Sequence, residues 1–118
     1  MTSPKPKILE AVVKKTVKQV LNEWGAYAFW PVPTGFGAHT VDCLACVPIK
    51  ITPGMVGKTM GLFVAIETKR EGVNKPTEAQ QAVFDKVAAA KGSTVLVNKA
   101  GITEVRNLIL KAVLDGVK

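Results

Sequence analysis

The segment "GLFVAIETK", residues 61–69, constrains the fold most strongly, because a short apolar run leads directly into charged residues. Such a run, between a glycine and the polar loop "REGVNK", is typical of a buried β-strand. Side chains alternate along a strand, so Glu67 and Lys69 lie on one face and Thr68 on the other. The sequence therefore predicts a strand whose end presents a carboxylate beside an ammonium group.

The rest of the chain predicts an α/β fold in the order α-β-β-β-α-β-α. Apolar residues at helical spacing and helix-end signals predict helices over residues 7–24, 76–92 and 102–118. Short apolar runs predict strands over residues 26–33, 40–49, 61–69 and 93–98, with a hairpin tip at residues 50–60. Thr77 and Gln80 match a capping box at the start of the second helix. We expect one domain, residues 1–118, with helices packed against a mixed sheet.

Composition favours a globular protein that binds a polyanion and argues against a membrane-spanning protein. The apolar fraction of 47% is that of a globular chain, and the net charge of +7 points to a polyanion such as nucleic acid. Apolar runs are too short for a membrane span, and Lys14 and Lys15 interrupt the stretch where a signal peptide would have its apolar region. These features predict a cytoplasmic protein.

The two cysteines, Cys43 and Cys46, form one C-x-x-C pair. A structural zinc site usually has four ligands, and a redox C-x-x-C normally begins a helix, whereas "TVDCLACV" has the pattern of a strand. The pattern favours two small, buried apolar residues.

Asp42 lies on the strand that precedes the "GLFVAIETK" strand. If the two strands pair antiparallel in a suitable register, Asp42 lies beside Glu67. Two carboxylates about 4 Å apart repel by about 4 kcal/mol at the dielectric of a protein surface, so they need a proton or a cation between them. Oxygen ligands suit Mg²⁺ or Mn²⁺, and Mg²⁺ retains waters while taking one or two carboxylates. Lys69 could then assist a nucleophilic water or stabilise charge on a phosphate, which indicates metal-dependent phosphodiester hydrolysis.

A structural alternative stays open for the same residues. Glu67 and Lys69 could form only an exposed ion pair at a strand end, which contributes little to stability. Gln80 could serve only the capping box, and Glu10 could simply pair with Lys14 one helical turn later.

The ordered set "VD" at 41–42, "FVAIETKR", "KPTEAQ" and "GSTVLVN" resembles the VRR-NUC branch of the PD-(D/E)XK nucleases. The resemblance covers about residues 8–98, with Val41 where the motif has proline. It implies a restriction-endonuclease-like αβββαβ core, here followed by an additional C-terminal helix. It implies that Asp42 and Glu67 are metal ligands, and that the carbonyl of Thr68 is a possible third.

The resemblance also assigns roles to three further side chains. Lys69 would be the catalytic lysine, and Gln80 would be the glutamine of the helix start near the active site. Glu10 would match an acidic residue of the first helix that often contacts the metal from the outer shell. The implied cofactor is Mg²⁺, for which Mn²⁺ can substitute.

Compact members of this family resemble phage or bacterial homodimers that act on branched DNA. The resemblance therefore implies a Mg²⁺-dependent endonuclease that cleaves structures such as four-way (Holliday) junctions. Basic side chains that we expect to contact DNA phosphates are Lys14, Lys18, Arg70 and Lys75. Two alternatives remain: a non-catalytic, basic nucleic-acid-binding module that keeps the nuclease fold, and a structural protein in which the E-x-K triplet is incidental.

Overall fold

The computed structural model of the protein describes residues 10–32 and 41–115. Its elements are α1 (Glu10–Glu23), β1 (Tyr27–Phe29), β2 (Leu44–Cys46), a 3-10 turn (Pro53–Met55), β3 (Val64–Thr68), α2 (Glu78–Ala89), β4 (Ser93–Val97) and α3 (Ile102–Asp115). The predicted order α-β-β-β-α-β-α is confirmed, and the fold is mixed α/β. The outermost predicted residues, namely 7–9, 33, 40 and 116–118, lie outside the described residues.

The strands form two sheets of two strands each, where the sequence predicted one mixed sheet. β1 pairs antiparallel with β2, and β3 pairs parallel with β4. The antiparallel pairing of β2 with β3, which was the condition for Asp42 to lie beside Glu67, is not among the strand pairs of residues 10–32 and 41–115. β2 has only three residues, and a connection that contains Pro48 and Pro53 separates it from β3, so β2 offers few backbone groups for a ladder with a second strand.

Contacts join the two sheets at one end. The thiol of Cys46 in β2 donates to the carbonyl of Ala90 at the end of α2, with a sulfur–oxygen distance of 3.5 Å. The ring of Tyr27 in β1 meets the ring of Phe63 edge to face, with centroids 6.0 Å apart. Because Phe63 immediately precedes β3, these contacts fix the Cys46 end of β2 against the beginning of β3.

The core of the described residues is small and surrounds the end of α2. Val87 is fully buried, and Cys46, Ala90, Ser93 and Val97 are also buried. Gly92 packs so closely that a Cβ atom there would lie 2.7 Å from Cγ1 of Val87 and 3.1 Å from Sγ of Cys46. Burial raises the pKa of the Cys46 thiol. Cys46 thus behaves as a buried apolar residue, as predicted, whereas Cys43 is only half-buried.

The predicted apolar face of α1 is exposed. Val13, Val17 and Trp24, three apolar residues at helical spacing within the predicted helix, are 49%, 39% and 58% exposed. The helix contacts β1, and none of its residues is buried. Periodicity identified the helix correctly, but the short β1–β2 sheet is too small to cover its apolar side.

None of the helices in the described part of the chain is long and apolar enough to cross a membrane.

Candidate active site

The carboxyl end of β3 carries the candidate site. Glu67 lies opposite Leu96 and Thr68 opposite Val97 in the parallel pairing with β4. The backbone N–H of Lys69 donates to the carbonyl of Val97 over 2.9 Å, so the pairing with β4 extends to the residue after the strand. Thr68 is exposed. β4 therefore supports the backbone of the E-x-K triplet through to Lys69.

Glu67 and Lys69 contact each other, as strand alternation predicted. The Lys69 Nζ lies 3.8 Å from Oε1 of Glu67. The Lys69 side chain is 19% exposed and the Glu67 side chain 30% exposed, so the pair is partly shielded from water but still accessible. An ion pair of this exposure contributes at most about 1 kcal/mol to stability. Its main consequence is chemical, since it keeps a cation beside a carboxylate at an accessible strand end.

Gln80 connects this pair to the beginning of α2. The predicted capping box is confirmed: the Thr77 N–H donates to Oε1 of Gln80 over 2.9 Å, and the Gln80 N–H donates to the Thr77 hydroxyl over 3.2 Å. The Nε2 of the same amide donates to Oε1 of Glu67 over 2.8 Å. One side chain therefore both caps the helix and contacts Glu67.

An apolar cavity of about 450 Å³ lies beside the carboxylate. Glu67 and Gln80 line it together with aromatic and aliphatic side chains of both sheets and α2, including Phe29, Leu44 and Phe84. Apolar surroundings strengthen a hydrogen bond between an amide and a carboxylate, because water competes less for both groups. The cavity therefore favours a fixed orientation of Glu67.

Asp42 is exposed and lies just before β2. Strand pairing does not join it to Glu67, but Leu44, two residues further on, lines the same cavity as Glu67. Asp42 itself does not line this cavity. The closeness of the two carboxylates stays a prediction.

The chemistry of the carboxylates fits a magnesium ion. The contacts of Glu67 with Lys69 and Gln80 both fall on Oε1, and a carboxylate has two oxygens with about four acceptor positions. Over residues 10–32 and 41–115, no group of three or more His, Cys, Asp or Glu side chains is placed to hold a metal. Binding of Mg²⁺ by these carboxylates stays a prediction.

Glu10, the expected outer contact of the metal, is exposed at the beginning of α1, and its Oε1 lies 3.8 Å from Nζ of Lys14. The helical ion pair is thus formed, and a role toward a metal stays a prediction. Lys18 also has a local partner, because its Nζ lies 5.0 Å from the ring centre of Trp30. Cation–ring contacts of this kind restrain a lysine without neutralising it.

The loop after β3 carries the other two predicted DNA contacts, Arg70 and Lys75, and both are exposed. Asn98, which sequence reasoning missed, holds this loop. Its Nδ2 donates to the Val73 carbonyl over 3.0 Å and to Oδ1 of Asn74 over 3.1 Å. The only signal in the sequence was its position, directly after the strand "STVLV".

Comparisons with protein-family models, curated proteins and solved structures gave no match. The family resemblance therefore depends on the order of the sequence motifs alone.

Proposed function

We propose that the protein is a Mg²⁺-dependent DNA endonuclease of the VRR-NUC type that hydrolyses phosphodiester bonds. The observation that carries this proposal is the cluster at the end of β3, where Oε1 of Glu67 lies 3.8 Å from the Lys69 ammonium and 2.8 Å from the Gln80 amide. A strand-end carboxylate with an adjacent cation and an oriented amide is suited to a reaction that builds negative charge on phosphate.

In the proposed reaction, a water oxygen bonds to phosphorus, and the bond from phosphorus to one ester oxygen breaks. The water loses one proton, the leaving oxygen gains one, and the products are a phosphate monoester and a hydroxyl group. Glu67 and Asp42 would hold Mg²⁺, with the Thr68 carbonyl a possible third ligand. The metal, when bound, would supply positive charge to the phosphate and lower the pKa of a bound water.

The other side chains of the site and its surroundings have separate roles in the proposed reaction. Lys69 stabilises the charge that develops on the phosphate oxygens and helps to position the attacking water. Gln80 holds Glu67 through its Nε2. The exposed cations Arg70 and Lys75, with Lys14 and Lys18 on α1, contact backbone phosphates that flank the cut.

Branched DNA, such as a four-way junction, is the proposed substrate, and a homodimer is the proposed form. Resolving a junction requires two symmetric cuts, which a two-fold pair of sites supplies. The exposed apolar residues of α1, together with Trp24, support self-association, because large exposed apolar patches on a small protein usually mark an interface.

The direct test incubates the purified protein with synthetic four-way junctions, flaps and linear duplex, with Mg²⁺ or with a chelator. We expect cleavage that requires Mg²⁺ and is faster on branched DNA. Calorimetric titration of Mg²⁺ should show a binding site that Asp42→Asn weakens. Cleavage that persists with the chelator, or that is absent on every DNA, would refute the proposed function.

A non-catalytic nucleic-acid-binding module is the second candidate, favoured by the exposed Arg70 and Lys75 and by the lack of strand pairing between β2 and β3. This module would bind DNA without metal and without cleaving it. Both candidates predict that binding weakens with salt, because cations on the protein displace counterions from DNA.

Arg70→Ala should therefore reduce the slope of log K against log salt by about 1. Fluorescence anisotropy with a labelled junction, in the presence of a chelator, measures this slope without cleavage. Lys111→Ala, an exposed change on α3, is the matched control and should leave the slope within error. If wild type and Arg70→Ala give equal slopes, Arg70 does not contact DNA phosphates.

A further inference from the structure

The oxygen and the nitrogen of the Gln80 amide are each hydrogen-bonded, one to a group that can only donate and the other to a group that only accepts. Its Oε1 accepts from the Thr77 backbone N–H over 2.9 Å, and its Nε2 donates to Oε1 of Glu67 over 2.8 Å. A backbone N–H only donates and an ionised carboxylate only accepts. Turning the amide over would set its oxygen against the carboxylate and its NH₂ against the N–H. Only one orientation satisfies both neighbours.

A capping box alone does not need this arrangement. Glutamate and glutamine both serve at the third helical position, since either side chain offers an oxygen to the capping residue's N–H. Glutamate, however, has no hydrogen to donate to Glu67 and would face it with a second negative charge. Glutamine is the one of the two that caps the helix and binds the carboxylate at the same time.

We propose that Thr77 is a positioning residue for Glu67, acting through Gln80. The Thr77 N–H selects the orientation of the amide, and the amide restricts rotation of the carboxylate, whose terminal torsion is otherwise broad. The beginning of α2 and the candidate site therefore form one hydrogen-bonded unit. The consequence for hydrolysis rests on the proposed function, whereas the orientation of Gln80 does not.

Two substitutions at Thr77 separate orientation from capping. The backbone φ of Thr77 is −66°, the value that proline adopts, so Thr77→Pro removes the N–H without straining φ. Thr77→Ala keeps the N–H. Both variants lose the hydroxyl that caps the Gln80 N–H, so the two should lose helix stability through that bond to a similar extent.

We expect Thr77→Pro to hydrolyse junction DNA about tenfold more slowly than Thr77→Ala in single-turnover assays, because a misplaced group near the reaction lowers the rate steeply. In the metal-free protein, the Gln80 side-chain amide should give a distinct, slowly exchanging NMR signal in Thr77→Ala. In Thr77→Pro that signal should shift and exchange faster, because the amide keeps only its bond to Glu67.

Gln80→Glu provides a second, independent variant. It keeps an oxygen for the cap but replaces the donor to Glu67 by a carboxylate, so hydrolysis should fall while thermal unfolding still shows a folded protein. Gln81→Glu makes the same charge change one residue later, on an exposed side chain whose Nε2 bonds to Asp85 over 2.9 Å. Its rate should stay within about twofold of wild type.

Equal rates and equal Gln80 signals in Thr77→Pro and Thr77→Ala would overturn the positioning role. If wild type shows no metal-dependent hydrolysis, the proposed function fails. The NMR comparison of the metal-free variants then still decides whether Thr77 orients Gln80, so the two failures are distinguishable.

Discussion

Glu67→Gln is expected to lower the single-turnover rate of junction cleavage about 10³-fold while leaving DNA binding intact. Glutamine has nearly the shape of glutamate but no charge, so it loses its attraction for a cation and for the Lys69 ammonium, 3.8 Å away. Its own carbonyl can still accept from Nε2 of Gln80, which keeps the local fold. Rates are measured with saturating Mg²⁺, and binding is measured by anisotropy in a chelator.

Glu23→Gln is the matched control for this prediction. Glu23 is the exposed last residue of α1, so the same change of charge and shape occurs away from the β3 end. We expect it to cleave at the wild-type rate. Similar cleavage by wild type and Glu67→Gln would mean that the observed activity comes from a contaminant or from another site, and the assignment of Glu67 would be abandoned.

Gly92→Ala is expected to lower the free energy of unfolding by about 1–3 kcal/mol, the usual cost of forcing an extra methyl group into a packed core. The added Cβ would lie 2.7 Å from Cγ1 of Val87 and 3.3 Å from the Phe63 carbonyl. Val87 is fully buried and has little room to move. Urea denaturation followed by circular dichroism measures the change.

Gly61→Ala is the control for Gly92→Ala, because a Cβ at Gly61 meets no atom within 4 Å. It should be neutral or slightly stabilising. The double variant Val87→Ala with Gly92→Ala should lose less stability than the two single losses added together, since truncating Val87 removes the clashing methyl. If Gly92→Ala lowers the free energy of unfolding no more than Gly61→Ala does, the packing around Val87 is looser than described.

Features that depend on neighbouring residues could be predicted from the sequence. The capping box follows from residue types three positions apart, so Thr77 and Gln80 were assigned correctly. The contact between Glu67 and Lys69 follows from the alternation of side chains along a strand. The order of helices and strands follows from periodicity, which is likewise local.

Features that depend on distant partners could not be predicted in the same way. The closeness of Asp42 and Glu67 was conditional on antiparallel pairing of their strands, but the hydrogen-bonded partner of β3 is β4, parallel to it. A strand's own pattern indicates which face is buried, whereas the choice of partner depends also on the connections between strands. The apolar stripe of α1 likewise specified a helix without specifying what covers it. The bond between Gln80 and Glu67 depends on how α2 approaches β3, which no spacing reveals.

The pairing of Lys69 with Val97 has a consequence for biosynthesis. The triplet at 67–69 gains its backbone support only when β4 arrives, after the whole of α2 has been made. A nascent chain that ends before Val97 holds the acid and the amine on an unsupported segment. If the proposed nuclease function holds, its site would stay unformed on the ribosome until β4 has been made.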